Sequence, residues 1–317
     1  MTGESITQSA VVETAGLAKS FKSTVALRDC TISVPEGRIC ALVGPNGSGK
    51  TTLLRCLAGL ARTTGGLAKV LGHTPGQEKE FLASVSFLAQ DVPLWKRLTA
   101  ADHIAIGSGL NPRWDAQGAH ERLRQLEIPV DRPVATLSGG QRAQVALALA
   151  LALALALALA LALAKKPRLL LLDEPLAALD PLARRHFLGV LAEDVAQDGL
   201  TVLISSHLIT ELHRVCDYLV LLAASRTQLC ADVDDIIASH RLVRCPGDYA
   251  EQVPPGVKVV NSLRAPRETT MLLRTRTASF GPPCEVSAVG LEEIVLGYMS
   301  EGAPADLRLL DAEGGDE

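Results

Sequence analysis

The octapeptide GPNGSGKT, residues 44–51, lies between the apolar run RICALVG (38–44) and the helical run TTLLRCLAGL (51–60). It fits G-x-x-x-x-G-K-[ST] in the strand–loop–helix setting that gives this pattern its meaning. Glycines allow consecutive backbone N–H groups to curl around a β-phosphate, and the following helix turns its positive end toward the same group. Lys50 then reaches the β- and γ-phosphates, and the Thr51 hydroxyl is placed to ligate Mg²⁺.

Working outward, RLLLLDE (168–174) and GLTVLISS (199–206) read, like RICALVG, as strands that are apolar on both faces. Strands alternating with helices predict an α/β fold with a mainly parallel sheet. Past about Leu222 the texture changes. HRLVRC (240–245), GVKVVNSLRA (256–265) and ETTMLLRTR (268–276) read as strands between Pro and Gly punctuation, and SAVGLEEIVLGYM (287–299) as a closing helix. A boundary is expected near residue 228, with a nucleotide-binding domain over 13–227 and a small α+β accessory domain over 228–300. Residues 1–12 and the acidic tail 301–317 are expected to be disordered.

The length of 317 residues accommodates one large and one small domain. A Leu/Ala tract inflates the 48% hydrophobic content and the mean hydropathy of +0.22. The net charge of −4 gives no support for nucleic acid as the partner. Seven cysteines (30, 40, 56, 216, 230, 245 and 284) form no CxxC pair, which predicts free or buried thiols rather than a disulfide framework or zinc site. The first residues, MTGESITQSAVVETAG, show no charged n-region and no apolar h-region, so no signal peptide is expected.

Asp173-Glu174-Pro175 closes the four-leucine run. A carboxylate at a strand end beside the phosphate loop can hold Mg²⁺ through water, and the next can polarise an attacking water. Between these two sites lies Leu137-Ser138-Gly139-Gly140-Gln141, with Gln90 in FLAQD, Asp180 in LAALDP and His207 in LISSH falling in order around it. Together these five elements resemble the ATP-binding cassette (ABC) ATPases over about residues 12–225. The resemblance implies a P-loop ATPase domain with a helical subdomain over about 91–164. It places ATP against Phe21, Gly44, Pro45, Asn46, Gly47, Ser48, Gly49, Lys50, Thr51 and Thr52, with Phe21 stacking on adenine. Mg²⁺ would be held by Thr51, Gln90 and, through water, Asp173. Glu174 would be the general base, His207 a γ-phosphate contact, and Gln90 the coupling to the helical subdomain. Asp180 falls at the family's D-loop.

Leu137, Ser138, Gly139, Gly140 and Gln141 form the family's signature, which contacts ATP held by a second nucleotide-binding subunit. One phosphate loop and one signature therefore imply a working pair of chains, identical or paralogous. The resemblance also implies an integral-membrane permease as partner, contacted through Asp91–Thr136, and a cytoplasmic, peripheral location on the inner face of the membrane. WKRLTAAD, NPRWD and LEEIVLGYM are similar to bacterial ABC-2 type exporters, which makes export the expected direction. The alternatives are a soluble non-transport ABC ATPase and a catalytically impaired regulatory subunit.

The Leu/Ala alternation over 146–164 is the departure from the family's pattern. Gln141 and Asp173 are 32 residues apart, a surplus of about twelve over the family spacing. A membrane span here would put the signature and the Asp-Glu strand on opposite sides of a bilayer. Ala and Leu are the strongest helix formers, and an Ala-for-polar alternation gives a strand no wet face, so helix is predicted. Leu at every second position steps round all sides of a helix, so exposed Leu is expected on an overshoot that returns through Lys165-Lys166-Pro167. Deleting six units, Leu153 to Ala164, is then expected to preserve the fold.

Overall fold

Four of the strands are buried on both faces because their odd and even residues meet different cores. The computed structural model describes residues 10–91, 94–126, 128–136, 155–177, 179–207, 209–247, 253–254, 257–276 and 280–301. The signature at 137–141 and the first half of the tract lie outside the described residues. The strands are β1 (Ala10–Phe21), β2 (Thr24–Pro35), β3 (Ile39–Val43), β4 (Gly65–Val70), β5 (Val85–Leu88), β6 (Leu169–Leu172), β7 (Thr201–Ser206), β8 (Tyr218–Ala223), β9 (Arg226–Asp232), β10 (His240–Pro246), β11 (Lys258–Arg264), β12 (Glu268–Arg274) and β13 (Glu285–Ser287). The helices are α1 (Lys50–Leu57), α2 (Lys79–Ser84), α3 (Ala100–Leu110), α4 (Ala116–Gln125), α5 (described over 155–164), α6 (Pro181–Asp198), α7 (Ile209–Leu212), α8 (Val233–Ala238) and α9 (Leu291–Glu301).

The central sheet has the order β5-β6-β7-β3-β8-β9, parallel except for β9. Ile39, Ala41, Val43, Leu170, Leu172, Val202, Ile204, Leu219 and Leu221 face a core shared with α5 and α6. The alternate residues Cys40, Leu42, Leu169, Leu171, Leu203, Val220 and Leu222 face a second core, formed with α1 and the antiparallel sheet β2-β1-β4. This is the two-face burial of a parallel layer. β9 closes the sheet through Asp232, so the layer runs past the expected boundary near residue 228.

Local signals set the helix ends. The Asp180 carboxylate accepts from the N–H groups of Leu182 and Ala183, Pro181 occupies the first turn, and Gly199 ends α6 in the left-handed conformation. Thr99 and Asp102 form a reciprocal capping box at α3. The buried Asp194 on α6 takes a two-pronged ion pair from Arg122 on α4. Burial nonetheless pushes its carboxyl above the ordinary value, partly offset by Arg122.

The described half of the tract corrects the expectation of exposed Leu, while residues 146–154 lie outside the described residues. α5 is a helix, but none of its residues from 155 to 164 is exposed. Leu155, Ala158, Leu159 and Leu163 pack on the central sheet and α6, whereas Leu157, Ala160 and Ala164 pack on α3 and α4. An all-round apolar helix is stable when sandwiched, and here two cores sandwich it. The return is a tight turn: Lys166 has φ 50, and Pro167 blocks further helix before β6. Among the described residues, no helix is long and apolar enough to cross a membrane.

Deleting six Leu-Ala units is therefore no longer expected to be silent. It would bring Ala143, Gln144 and Val145 to the places of Leu155, Ala156 and Leu157. Losing the buried Leu155 to Ala and Leu157 to Val should cost about 3–5 kcal/mol, a fall in Tm of about 10 °C. Deleting four units leaves 155–164 as it is and should barely move Tm. Equal melting of the two deletions, measured by circular dichroism, would contradict the packing described for α5.

The last sheet, β11-β12-β10-β13, is antiparallel. Its inner face, with Leu242, Val260 and Leu272, joins the main core beneath Ile294, Val295 and Tyr298 of α9. Cys245 and Cys284 form a disulfide, correcting the expectation of thiols throughout, while the remaining five cysteines are free. His240 is fully buried: Nδ1–H donates to the Ile236 carbonyl (2.6 Å), and Nε2 accepts from the Tyr298 hydroxyl (3.0 Å). Burial holds its imidazole below the ordinary histidine value. The unfolded chain then binds the proton more readily, so this group's contribution is present above about pH 6.5 and is lost as pH falls from there toward the folded pKa. Urea titrations at pH 7 and pH 5.5 should show a larger acid loss for the wild type than for His240→Gln. Equal losses would refute the linkage.

Candidate functional site

Four neighbouring parallel strands deliver the predicted site residues at their carboxyl ends. Gln90 follows β5, Asp173 and Glu174 follow β6, His207 follows β7, and the 44–49 loop follows β3. Open parallel sheets bind ligands at this edge. Thr24, Val25, Ala26, Asn46, Gly47, Gly49, Lys50, Thr51, Thr52, Gln90, Glu174, Ala177 and His207 line one cleft of about 360 Å³ here.

The loop is glycine-rich for a steric reason. A Cβ on Gly44 would lie 2.2 Å from the Leu222 carbonyl oxygen, and one on Gly49 would lie 2.5 Å from that of Ala26. Gly49 caps α1 at φ 105, so the first N–H groups of the helix face the cleft without a side chain in the way. The buried Ser48 hydroxyl has no hydrogen-bond partner among the described residues.

Lys50 Nζ donates to the carbonyls of Gly44 (2.8 Å) and Pro45 (3.3 Å) and lies 3.3 Å from Glu174 Oε1. The other oxygen of Glu174 is 2.8 Å from His207 Nδ1. A nearly buried carboxylate thus bridges the loop lysine and the histidine. Glu174 holds φ 49, an uncommon backbone conformation for a non-glycine residue, and its N–H donates to Ser205 Oγ (2.8 Å). Ser205 also donates to Asp173 Oδ1 (3.0 Å), which accepts from Thr51 Oγ1 (3.0 Å) as well. Ser205, fully buried near the end of β7, orients both carboxylate residues. Sequence reasoning missed it, although a serine within LISSH was the available signal.

Phe21 is 51% exposed at the end of β1, opposite Thr24 in the register, and the Lys19 ammonium lies 4.6 Å over its ring. It stands beside the cleft rather than among the lining residues. Asp180 caps α6. Leu137, Ser138, Gly139, Gly140 and Gln141 lie outside the described residues. Thr51 and Gln90 line the cleft and the Thr51 hydroxyl contacts the Asp173 carboxylate, a set of hard oxygen donors that fits Mg²⁺.

Comparison with known proteins agrees with this geometry. The family model described as ABC transporter matches residues 27–159, and one described as AAA domain, putative AbiEii toxin, Type IV TA system, matches 147–212. The chain is 32% identical over 245 residues to the phosphonates import ATP-binding protein PhnC 2 of Pseudomonas syringae pv. syringae, covering 70% of this chain and 84% of that protein. It is 34% identical over 259 residues to the sulfate/thiosulfate import ATP-binding protein CysA of Mesorhizobium japonicum, covering 79% and 71%. A solved ATP-binding subunit of an ABC transporter superposes with TM-score 0.61 at 25% identity, covering 71% of this chain and 91% of that one. A dimeric cassette in a post-hydrolysis state bound to ADP and Pi superposes with TM-score 0.59 at 22% identity, covering 70% and 98%, a likeness of fold. PhnC 2 and CysA are both named as import proteins, which overturns the expectation of an ABC-2 type exporter. The strings that suggested export were too short to outweigh similarity along most of the chain.

Proposed function

The chain belongs to the ATP-binding subunits of ABC transporters, and from that premise we propose that it hydrolyses ATP at a site shared between two cassettes to drive a membrane permease. The observation that carries this reading is Glu174, held between Lys50 and His207 at the mouth of the phosphate loop. Incoming β- and γ-phosphate oxygens compete for Lys50 Nζ, now occupied by two carbonyls and Glu174. Drawing Lys50 onto the phosphates releases one oxygen of Glu174 to accept a proton from water, and His207 keeps the other oxygen in place. The helix α1 N-terminus, with the Ser48 hydroxyl, supplies further donors to the phosphates.

Thr51, Asp173 and Gln90 would hold Mg²⁺, which when bound neutralises phosphate charge. Phe21 would stack on the adenine. The permease would contact the 91–136 region, keeping the chain peripheral on the cytoplasmic face. The relatives' names favour import as the direction of transport.

The shared site is tested at Ser138, at the signature position. Ser138→Arg should abolish hydrolysis, because a bulky cation would occupy the place that faces the partner's γ-phosphate. Nucleotide binding by the single chain should survive. Isothermal titration alongside a phosphate-release assay reads both. A collapse of single-chain affinity would contradict the shared-site reading.

A further inference from the structure

The two disulfide cysteines occupy a place that nothing in the ATPase reading uses. β10 and β13 pair antiparallel through Val243↔Val286 and Arg244↔Glu285. One more step along that register sets Cys245 opposite Cys284. Their Cα atoms are 4.4 Å apart, the spacing of directly opposed, non-hydrogen-bonded residues in an antiparallel ladder. The same backbone therefore accommodates either two thiols or a disulfide.

The two residues differ in exposure. Cys245 is 1% exposed on the outer face of the sheet, with Val243, Met271 and Leu273. Cys284 is partly exposed and, with Phe280, belongs to the segment that covers this small cluster. It directly precedes β13, an edge strand of three exposed residues. The free thiols contrast with this pair: burial pushes Cys30, Cys40, Cys56 and Cys216 up, which keeps them protonated and poor nucleophiles.

We propose that Cys245 and Cys284 form a reversible thiol–disulfide exchange site that takes low-molecular-weight disulfides and thiols of the glutathione class and fastens residues 280–284 over the outer face of the C-terminal sheet. In the oxidising direction the accessible Cys284 thiolate attacks one sulfur of glutathione disulfide, forming a mixed disulfide and releasing one glutathione thiolate. The Cys245 thiolate then attacks Cys284 Sγ, forming the protein disulfide and releasing the second glutathione. Two protein thiols lose two protons and two electrons, and one glutathione disulfide becomes two thiols. Excess glutathione reverses both steps, entering again at Cys284. A disulfide with one partly exposed cysteine is of the labile kind.

The test uses the full chain, equilibrated across reduced-to-oxidised glutathione ratios, acid-quenched, labelled with a maleimide and mapped by peptide mass spectrometry. Cys245 and Cys284 should lose and regain labelling together across the series, while the buried Cys30, Cys40, Cys56 and Cys216 stay as thiols. Limited proteolysis between residues 275 and 285 should be at least several-fold slower in the oxidised form. Cys284→Ser should abolish the transition, and Cys245→Val, which keeps the outer cluster apolar, should abolish it without loss of fold. A pair that stays labelled in excess glutathione disulfide, or stays oxidised in excess glutathione, would overturn the exchange site. Equal proteolysis of both forms would overturn the fastening. These outcomes are independent of ATP hydrolysis, so failure here is distinguishable from failure of the ATPase reading.

Discussion

Glu174→Gln lowers ATP turnover by about 10²–10⁴-fold, the usual contribution of a positioned general base, and leaves ATP affinity nearly unchanged. The amide keeps the size of the carboxylate and can still reach His207, but it cannot take a proton from water. Lys50 loses its charged partner at 3.3 Å and is freer to reach the nucleotide. Single-turnover hydrolysis beside equilibrium titration separates the two effects. A variant hydrolysing at the wild-type rate would remove Glu174 from the chemistry.

Lys50→Ala acts on binding. Lys50 is 6% exposed and already desolvated, with its ammonium aimed by the carbonyls of Gly44 and Pro45. Hydrogen bonds to charged groups contribute about 1.5–3 kcal/mol each, and two phosphates are within its reach, so ATP affinity should fall by about 10²-fold or more. The same substitution leaves Glu174 paired with His207 alone. Calorimetric titration with ATP reads the loss. Unchanged affinity would show that the loop backbone alone holds the phosphates.

What could be read in advance followed from local rules. Residues 38–44, 168–174 and 199–206 were legible as strands because a strand buried on both faces needs an unbroken apolar run. The 44–51 loop, Asp173 and Glu174 were legible because they follow such runs, whereas Phe21, Gln90, Asp180, His207 and the 137–141 signature came only from the resemblance to ABC ATPases. β9 was not legible: its hairpin turns through Ala224 and Ser225, both at positive φ, without the Asn-Gly or Asp-Gly signal of such turns. The sheet consequently reaches past the boundary expected at 228. The disulfide depends on a strand register spanning 39 residues of sequence, which cysteine spacing does not encode. The helix in the Leu/Ala tract followed from propensity, but its burial did not, because the covering surfaces come from α3, α4, α6 and the sheet. Ser205 was hidden in plain view, a polar residue whose role appears only when Asp173 and Glu174 fold beside it.

In the proposed function, one chain carries half of each working site. Sedimentation velocity of Glu174→Gln tests it most directly, because trapping the nucleotide unhydrolysed should hold two cassettes together. A dimer is expected with Mg-ATP, returning to monomer when ATP is replaced by ADP. A variant that binds ATP yet sediments as a monomer at every chain concentration would contradict it.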